Sequence, residues 1–173
     1  MAIALYDVTV PQFLQVVRAL RGVLDKSLDH AKAQGRDPDE LVEARLAEDM
    51  FPLYLQARLI AHHSAGALRN VSEGAFSLPS RERASYAGLQ QILAETETEL
   101  SGLAREAVDA LEGREVVLDM GAGSRTVFTA EAFLTSFSLP NFYFHAVTAY
   151  DILRAQGAPI GKRDYLTGLR TKL

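Results

Sequence analysis

From Pro11 onward, apolar side chains return at Phe13, Val17, Leu20, Leu24 and Leu28, in steps of four, three, four and four. That is the repeat of one buried helical face. Proline suits a first helical turn, and Gly35 supplies the stop. Asp37-Pro38-Asp39-Glu40 then offers a cap, a proline at the first helical position and an acidic residue three beyond the cap, predicting a short connecting helix to about Arg45. Pro52 opens a segment that runs to about Leu68. Projection at 100° per residue sets Leu53, Gln56, Leu59, Ile60, His63 and Ala67 on one side, with Arg58 and His62 on the other. The adjacent histidines therefore do not both face inward.

Tyr86, Leu89, Leu93, Thr96, Leu100, Leu103 and Ala107 alternate steps of three and four, a seam suited to bundle packing. Glu115-Val116-Val117-Leu118-Asp119-Met120 and Arg125-Thr126-Val127-Phe128 flank Gly121-Ala122-Gly123-Ser124 and predict a small β-hairpin. Thr129 is placed to cap a last long helix from Ala130 to Gln156, kinked at Pro140 and stopped by Gly157. Its aromatic and aliphatic residues point in every direction, as on a helix surrounded by protein. Phe133, Phe137 and Phe144 are assigned to the core. Phe142, Tyr143 and Tyr150 are left for a second covering surface, either a partner subunit or, within one chain, the segment Pro159–Leu173 or the hairpin folded back. The pattern predicts an all-α class with a small hairpin, forming a single domain over residues 1–173.

A chain of 173 residues buries roughly 70% of its unfolded surface, so a full core is expected. The 48% hydrophobic and 23% charged fractions are those of an ordinary folded domain. Eighteen Lys+Arg against 22 Asp+Glu leave a net charge of -4. That balance gives no attraction to phosphate backbones, and nucleic acid is excluded as an expected partner. Zero cysteines exclude disulfides, thiolate ligands and a cysteine nucleophile. The N-terminus has no basic region, and no apolar run reaches the ~18 residues a span needs. A cytoplasmic protein with no membrane partner is expected.

No phosphate loop, dinucleotide fingerprint, nucleophile elbow or paired-histidine zinc helix is present. The informative polar residues are those aimed inward. Asn141 and His145 are four apart with Thr148 on the same side of the last helix, and Gln56 and His63 are seven apart on the second. One reading has His63 and His145 giving imidazole nitrogens to a divalent ion, with Asn141 or a water completing the site. The other has them as buried polar groups that satisfy one another or the backbone. His30 and His62 are read as surface residues, and Glu95, Glu97 and Glu99 as a solvated face. Asp151 is expected to pair with Arg154 or Arg163.

Leu139-Pro140-Asn141-Phe142-Tyr143-Phe144-His145, then Ala149-Tyr150-Asp151-Ile152-Leu153-Arg154 and Ile160-Gly161-Lys162-Arg163-Asp164-Tyr165, resemble a bacterial domain of unknown function in the DinB/YfiT-like superfamily. Tyr6-Asp7 before Pro11, and Leu46 through Asp49-Met50-Phe51-Pro52, extend the likeness over nearly the whole chain. The resemblance implies a four-helix bundle of up-down-down-up topology, often dimeric. Its better-known relatives bind a divalent metal through three histidines, one from the second helix and a His-x-x-x-His pair from the fourth, and some act on low-molecular-weight thiols. Here the pair reads Asn141-x-x-x-His145, and His63 matches the second-helix ligand.

The functional expectation is a metal-free homodimer that binds a small molecule or serves as an interaction module. Its rival is a hydrolase or thiol transferase dependent on one divalent ion, zinc or nickel, at His63, Asn141 and His145.

Overall fold

The computed structural model describes residues 3–119 and 125–171. After one helical turn, α1 (Leu5–Val8), the chain enters α2 (Val10–Ala33) with Pro11 in its first turn. Phe13, Val17, Leu20 and Leu24 are buried, together with Val16, Val23 and Ala31. Gly35 takes φ 65°, which lets the Gly35 and Arg36 amides return to Lys32 and Ala31 carbonyls at 3.0 and 2.9 Å. The helix end thus keeps its carbonyls satisfied. Asp37 then caps a 3-10 turn (Pro38–Glu43), its carboxylate accepting from the Asp39 amide at 2.9 Å. The connecting helix is therefore tighter than α, and it ends two residues before Arg45.

The second helical segment is divided, contrary to the expected continuous run. α3 (Leu53–His62) stops, Ser64 departs from helical geometry at φ -117° and ψ -96°, and α4 (Ala65–Glu73) follows as a separate helix. The break leaves polar groups to be paired inside the core. Ser64 donates to the Ile60 carbonyl at 2.7 Å, and Ser138 donates to the His63 carbonyl at 2.9 Å. A Cβ at Gly66 would lie 3.3 Å from the Ala61 carbonyl oxygen, so glycine permits the close approach of the two helix ends.

β1 (Ala75–Phe76) comes next, then α5 (Tyr86–Ser101), capped by Ser85 accepting from the Gly88 amide at 3.2 Å. The seam ends at Gly102. Ala107 lies on a separate helix, α6 (Arg105–Asp109), and is exposed, while Val108 is the residue turned inward. β2 (Glu115–Asp119) and β3 (Arg125–Thr129) pair antiparallel with Val117 opposite Val127. The expected turn at Gly121–Ser124, and Met120, lie outside the described residues. β1 pairs parallel with β2, Ala75 beside Val117. The β element is therefore a three-stranded sheet in the order β1-β2-β3. Two residues are too few to show a strand period.

Thr129 caps α7 (Ala130–Ala132) by accepting from the Ala132 amide at 3.4 Å. A π-helical stretch, Phe133–Ser138, intervenes before α8 (Leu139–Ala155). Pro140 has no N–H to return to the preceding turn, and the wide π turn lies directly before it. Gly157 at φ 93° ends α8, and α9 (Lys162–Tyr165) closes the described chain's regular structure.

Four helices form the core: α2 packs on α5, α5 on α3, α3 on α8 and α8 on α2. Phe13 and Phe142 meet edge to face at 4.8 Å, and the Tyr86 hydroxyl crosses from α5 to the Leu24 carbonyl of α2 at 2.8 Å. The assignment of the α8 aromatic residues changes accordingly. Phe142 is fully buried, and Phe144 is 58% exposed. Tyr150 packs on Tyr165 at 6.1 Å, and Lys26 of α2 pairs with Asp164, so α9 covers this side of the helix. Asp151 makes no ion pair among the described residues, since Arg154 donates to the Ala158 carbonyl at 3.1 Å instead. No described helix is long and apolar enough to cross a membrane.

Candidate functional site

The break between α3 and α4 places His63 at a helix end rather than on a helix face. Its ring stands 5.8 Å from that of His145 on α8, with the planes 17° apart. His63 and His145 are 5% and 7% exposed. Both border a cavity of about 290 Å³, and Asn141 lies on the same wall. Leu55, Leu59, Phe76 and Phe137 make most of the remaining surface, with Phe51, Leu78, Pro79 and Arg81 toward the outside. Arg81 sits 5.4 Å above the Phe51 ring. The walls are predominantly apolar, as small-molecule cavities usually are.

The polar atoms have a definite arrangement. Gln56 donates from Nε2 to the Phe51 carbonyl at 2.8 Å, which turns its Oε1 toward His145 Nδ1 at 2.7 Å. Nδ1 must then carry the hydrogen, leaving Nε2 of His145 as an acceptor. Asn141 likewise commits Nδ2 to the Phe137 carbonyl at 2.7 Å. His63 Nδ1 and His62 Nε2 are buried without a hydrogen-bond partner. Burial, reinforced by the neighbouring His62 and His145, depresses His63 to a pKa of about 3. Burial alone takes His145 to about 4. His62 is also lowered, mainly by burial and further by Arg69, against a raising contribution from the Ser77 backbone. At neutral pH the cavity carries neutral imidazoles.

Thr148 is buried beside these residues but gives its hydroxyl to the Phe144 carbonyl at 2.7 Å. Two participants are not legible from spacing. His62 projects to the polar side of a uniform helix, yet it borders the cavity, because the helix ends there and its ring folds onto Phe76 at 4.3 Å. Phe76 also meets His63 at 5.5 Å and Phe133 at 4.9 Å. Its only signal in the sequence is one aromatic after the Gly74 stop. Glu97 and Glu99 of the expected solvated face are occupied, Glu97 with Arg18 and Arg21 and Glu99 with Arg69. A second cavity, of about 220 Å³, is also bordered by His62. Its cations are already engaged, Arg69 with Glu99 and Arg58 with the Glu82 carbonyl at 2.7 Å.

A metal centre of the implied kind needs three protein donors. The cavity offers two imidazoles and one carboxamide, and among the described residues no three His, Cys, Asp or Glu side chains come together to hold an ion. The residues present do not fit that centre, because Asn141 stands where a third anionic or imidazole donor is required.

A crystal structure of a DinB family member protein from Shewanella denitrificans superposes with a TM-score of 0.81 at 30% sequence identity, over 98% of this chain and 95% of that one. The fold is thus that of a DinB-like helical domain. Residues 5–166 match the model of the Domain of unknown function (DUF1993), and the chain belongs to that family. No curated protein matches it.

Proposed function

We propose that the protein is a metal-free small-molecule-binding module, built on a four-helix bundle of α2, α3, α5 and α8 in up-down-down-up order and acting as a homodimer. One observation carries the binding function. The apolar cavity of about 290 Å³ is bordered by the largely buried His145, whose Nδ1 is committed to Gln56 and whose Nε2 is left as an acceptor. A ligand that gives this nitrogen a hydrogen bond gains about 0.5 to 1.5 kcal/mol beyond its apolar contacts. The volume is at the small end of ligand cavities, so the ligand is small and largely apolar.

The test is a titration with toluene and with phenol, followed by backbone amide NMR. Saturable shifts at Leu55, Leu59, Phe76 and Phe137 are expected, and their absence for both compounds would defeat the binding reading. The metal-free part is tested separately by elemental analysis of protein purified without chelator or histidine tag. A stoichiometric zinc or nickel ion bound through His63, Asn141 and His145 would replace it with the hydrolase or thiol transferase reading.

A further inference from the structure

We infer that the cavity selects a neutral molecule carrying a hydroxyl on an aromatic or compact apolar body, the hydroxyl donating its hydrogen to the His145–Asn141 wall. The inference rests on the small-molecule reading above and specifies the ligand's chemistry. Three observations lead to it.

The first is the direction of the hydrogen bonds that are already made. His145 spends its only N–H on Gln56 Oε1, and Gln56 does not border the cavity. The ring nitrogen left over is Nε2, which accepts. Asn141 spends one of its two amide hydrogens on Phe137, leaving its Oδ1 as a second acceptor and one N–H as a donor on the same wall. A ligand that carries only acceptors leaves both of these acceptor atoms unpaired, whereas an O–H pairs one of them and its oxygen can accept from the remaining Asn141 N–H.

The second is the charge of the lining. The inner wall includes no Lys, Arg, Asp or Glu side chain, so it offers no ion pair to a charged ligand. The one guanidinium bordering the cavity, Arg81, stands over Phe51 toward the outside. Its charge disfavours a cationic ligand at the mouth, which removes ammonium groups from the candidate donors.

The third is the shape of the lining. Phe76 and Phe137 bring their rings within 6.0 Å of one another, edge to face, and His63 lies 5.6 Å from Phe137. Flat aromatic bodies are complementary to such walls through offset and edge contacts.

The experiment compares four probes of similar size on the full-length protein by calorimetry or NMR: phenol, toluene, benzoate and benzylamine. Phenol is expected to bind at least about tenfold tighter than toluene, the difference of one well-placed hydrogen bond, with benzoate and benzylamine weaker than phenol. In the variant His145→Phe, which keeps an aromatic ring and loses the acceptor, phenol is expected to fall to the affinity of toluene. If that variant does not fold, the four-probe ranking on the unaltered protein decides alone. Equal binding of phenol and toluene overturns the hydroxyl inference and leaves the small-molecule reading standing. Tightest binding of benzoate or benzylamine overturns it in favour of an ionic ligand. Binding of none of the four overturns both.

Discussion

Gln56 on α3 and His145 on α8 are joined across the core by a 2.7 Å hydrogen bond, and Gln56 is itself anchored to the Phe51 carbonyl. The chain of two bonds fixes an imidazole tautomer with side-chain and backbone groups alone. Gln56 is 1% exposed and its bond to His145 is buried, so water does not replace it there. Gln56→Met, which keeps the length and apolar volume, is expected to destabilise the fold by about 1 to 3 kcal/mol by orphaning His145 Nδ1. Urea denaturation measures it. An unchanged midpoint would mean that the pair is not buried in solution.

Stability is expected to depend on pH through His63 and His145. Their folded pKa values, about 3 and about 4, lie below the ordinary 6.5. The unfolded chain therefore binds more protons than the folded one between those limits, and stability falls as pH drops. Their contribution is complete above pH 6.5 and is lost progressively toward pH 4, at up to about 1.4 kcal/mol per pH unit for each histidine. Thermal melts from pH 7.5 to 4.5 track the trend. The double variant His63→Leu/His145→Leu should flatten it, and an equally steep profile in that variant would assign the effect elsewhere.

Tyr86 holds the α2–α5 contact through its hydroxyl on the Leu24 carbonyl at 2.8 Å, and it is 2% exposed. Burial pushes its pKa well above the phenolic range, so the hydroxyl stays protonated and donating. Tyr86→Phe removes the donor and leaves the ring in place. The expected loss is about 1 kcal/mol, read from the shift in denaturation midpoint.

Phe144 and Val147 are 58% and 42% exposed on the same side of α8. They take the place of Phe142, Tyr143 and Tyr150 as the apolar surface available to a second subunit. Light scattering at micromolar concentration is expected to give twice the monomer mass of 18.9 kDa, and Phe144→Lys is expected to return the monomer. A monomer mass for the unaltered protein would defeat the dimer.

The helices are legible where one periodic face runs unbroken. Phe13 through Leu24 and Tyr86 through Leu100 are buried as their spacing requires. Errors begin where the backbone leaves α geometry. The π stretch Phe133–Ser138 puts more residues into its turn, rotating the residues beyond it by roughly one position, about 100°. Projection of a uniform helix therefore turns Phe144 inward, whereas the shifted helix buries Phe142 and His145 instead. Ser64 does the same to the histidine pair. A helix that stops at His62 presents two adjacent side chains to one cavity, which no 3.6-residue period allows. The inward polar residues Gln56, His63, Asn141 and His145 are visible in the pattern. Their hydrogen-bond directions depend on the Phe51 and Phe137 carbonyls, to which no sequence spacing points.

The two-residue strand β1 ties the aromatic wall to a distant part of the chain. Phe76 leans on the histidines from a strand whose flanking Gly74 carbonyl accepts from the Val117 amide at 3.0 Å, and Val117 belongs to the β2–β3 ribbon. The ribbon thus acts as an outrigger for the cavity: substitutions that unpair it, although they touch no cavity atom, are expected to loosen the support behind one aromatic wall while leaving the α3–α8 contact in place. Tolerance to sequence change in the ribbon is accordingly set by the cavity it braces as well as by its own exposed surface.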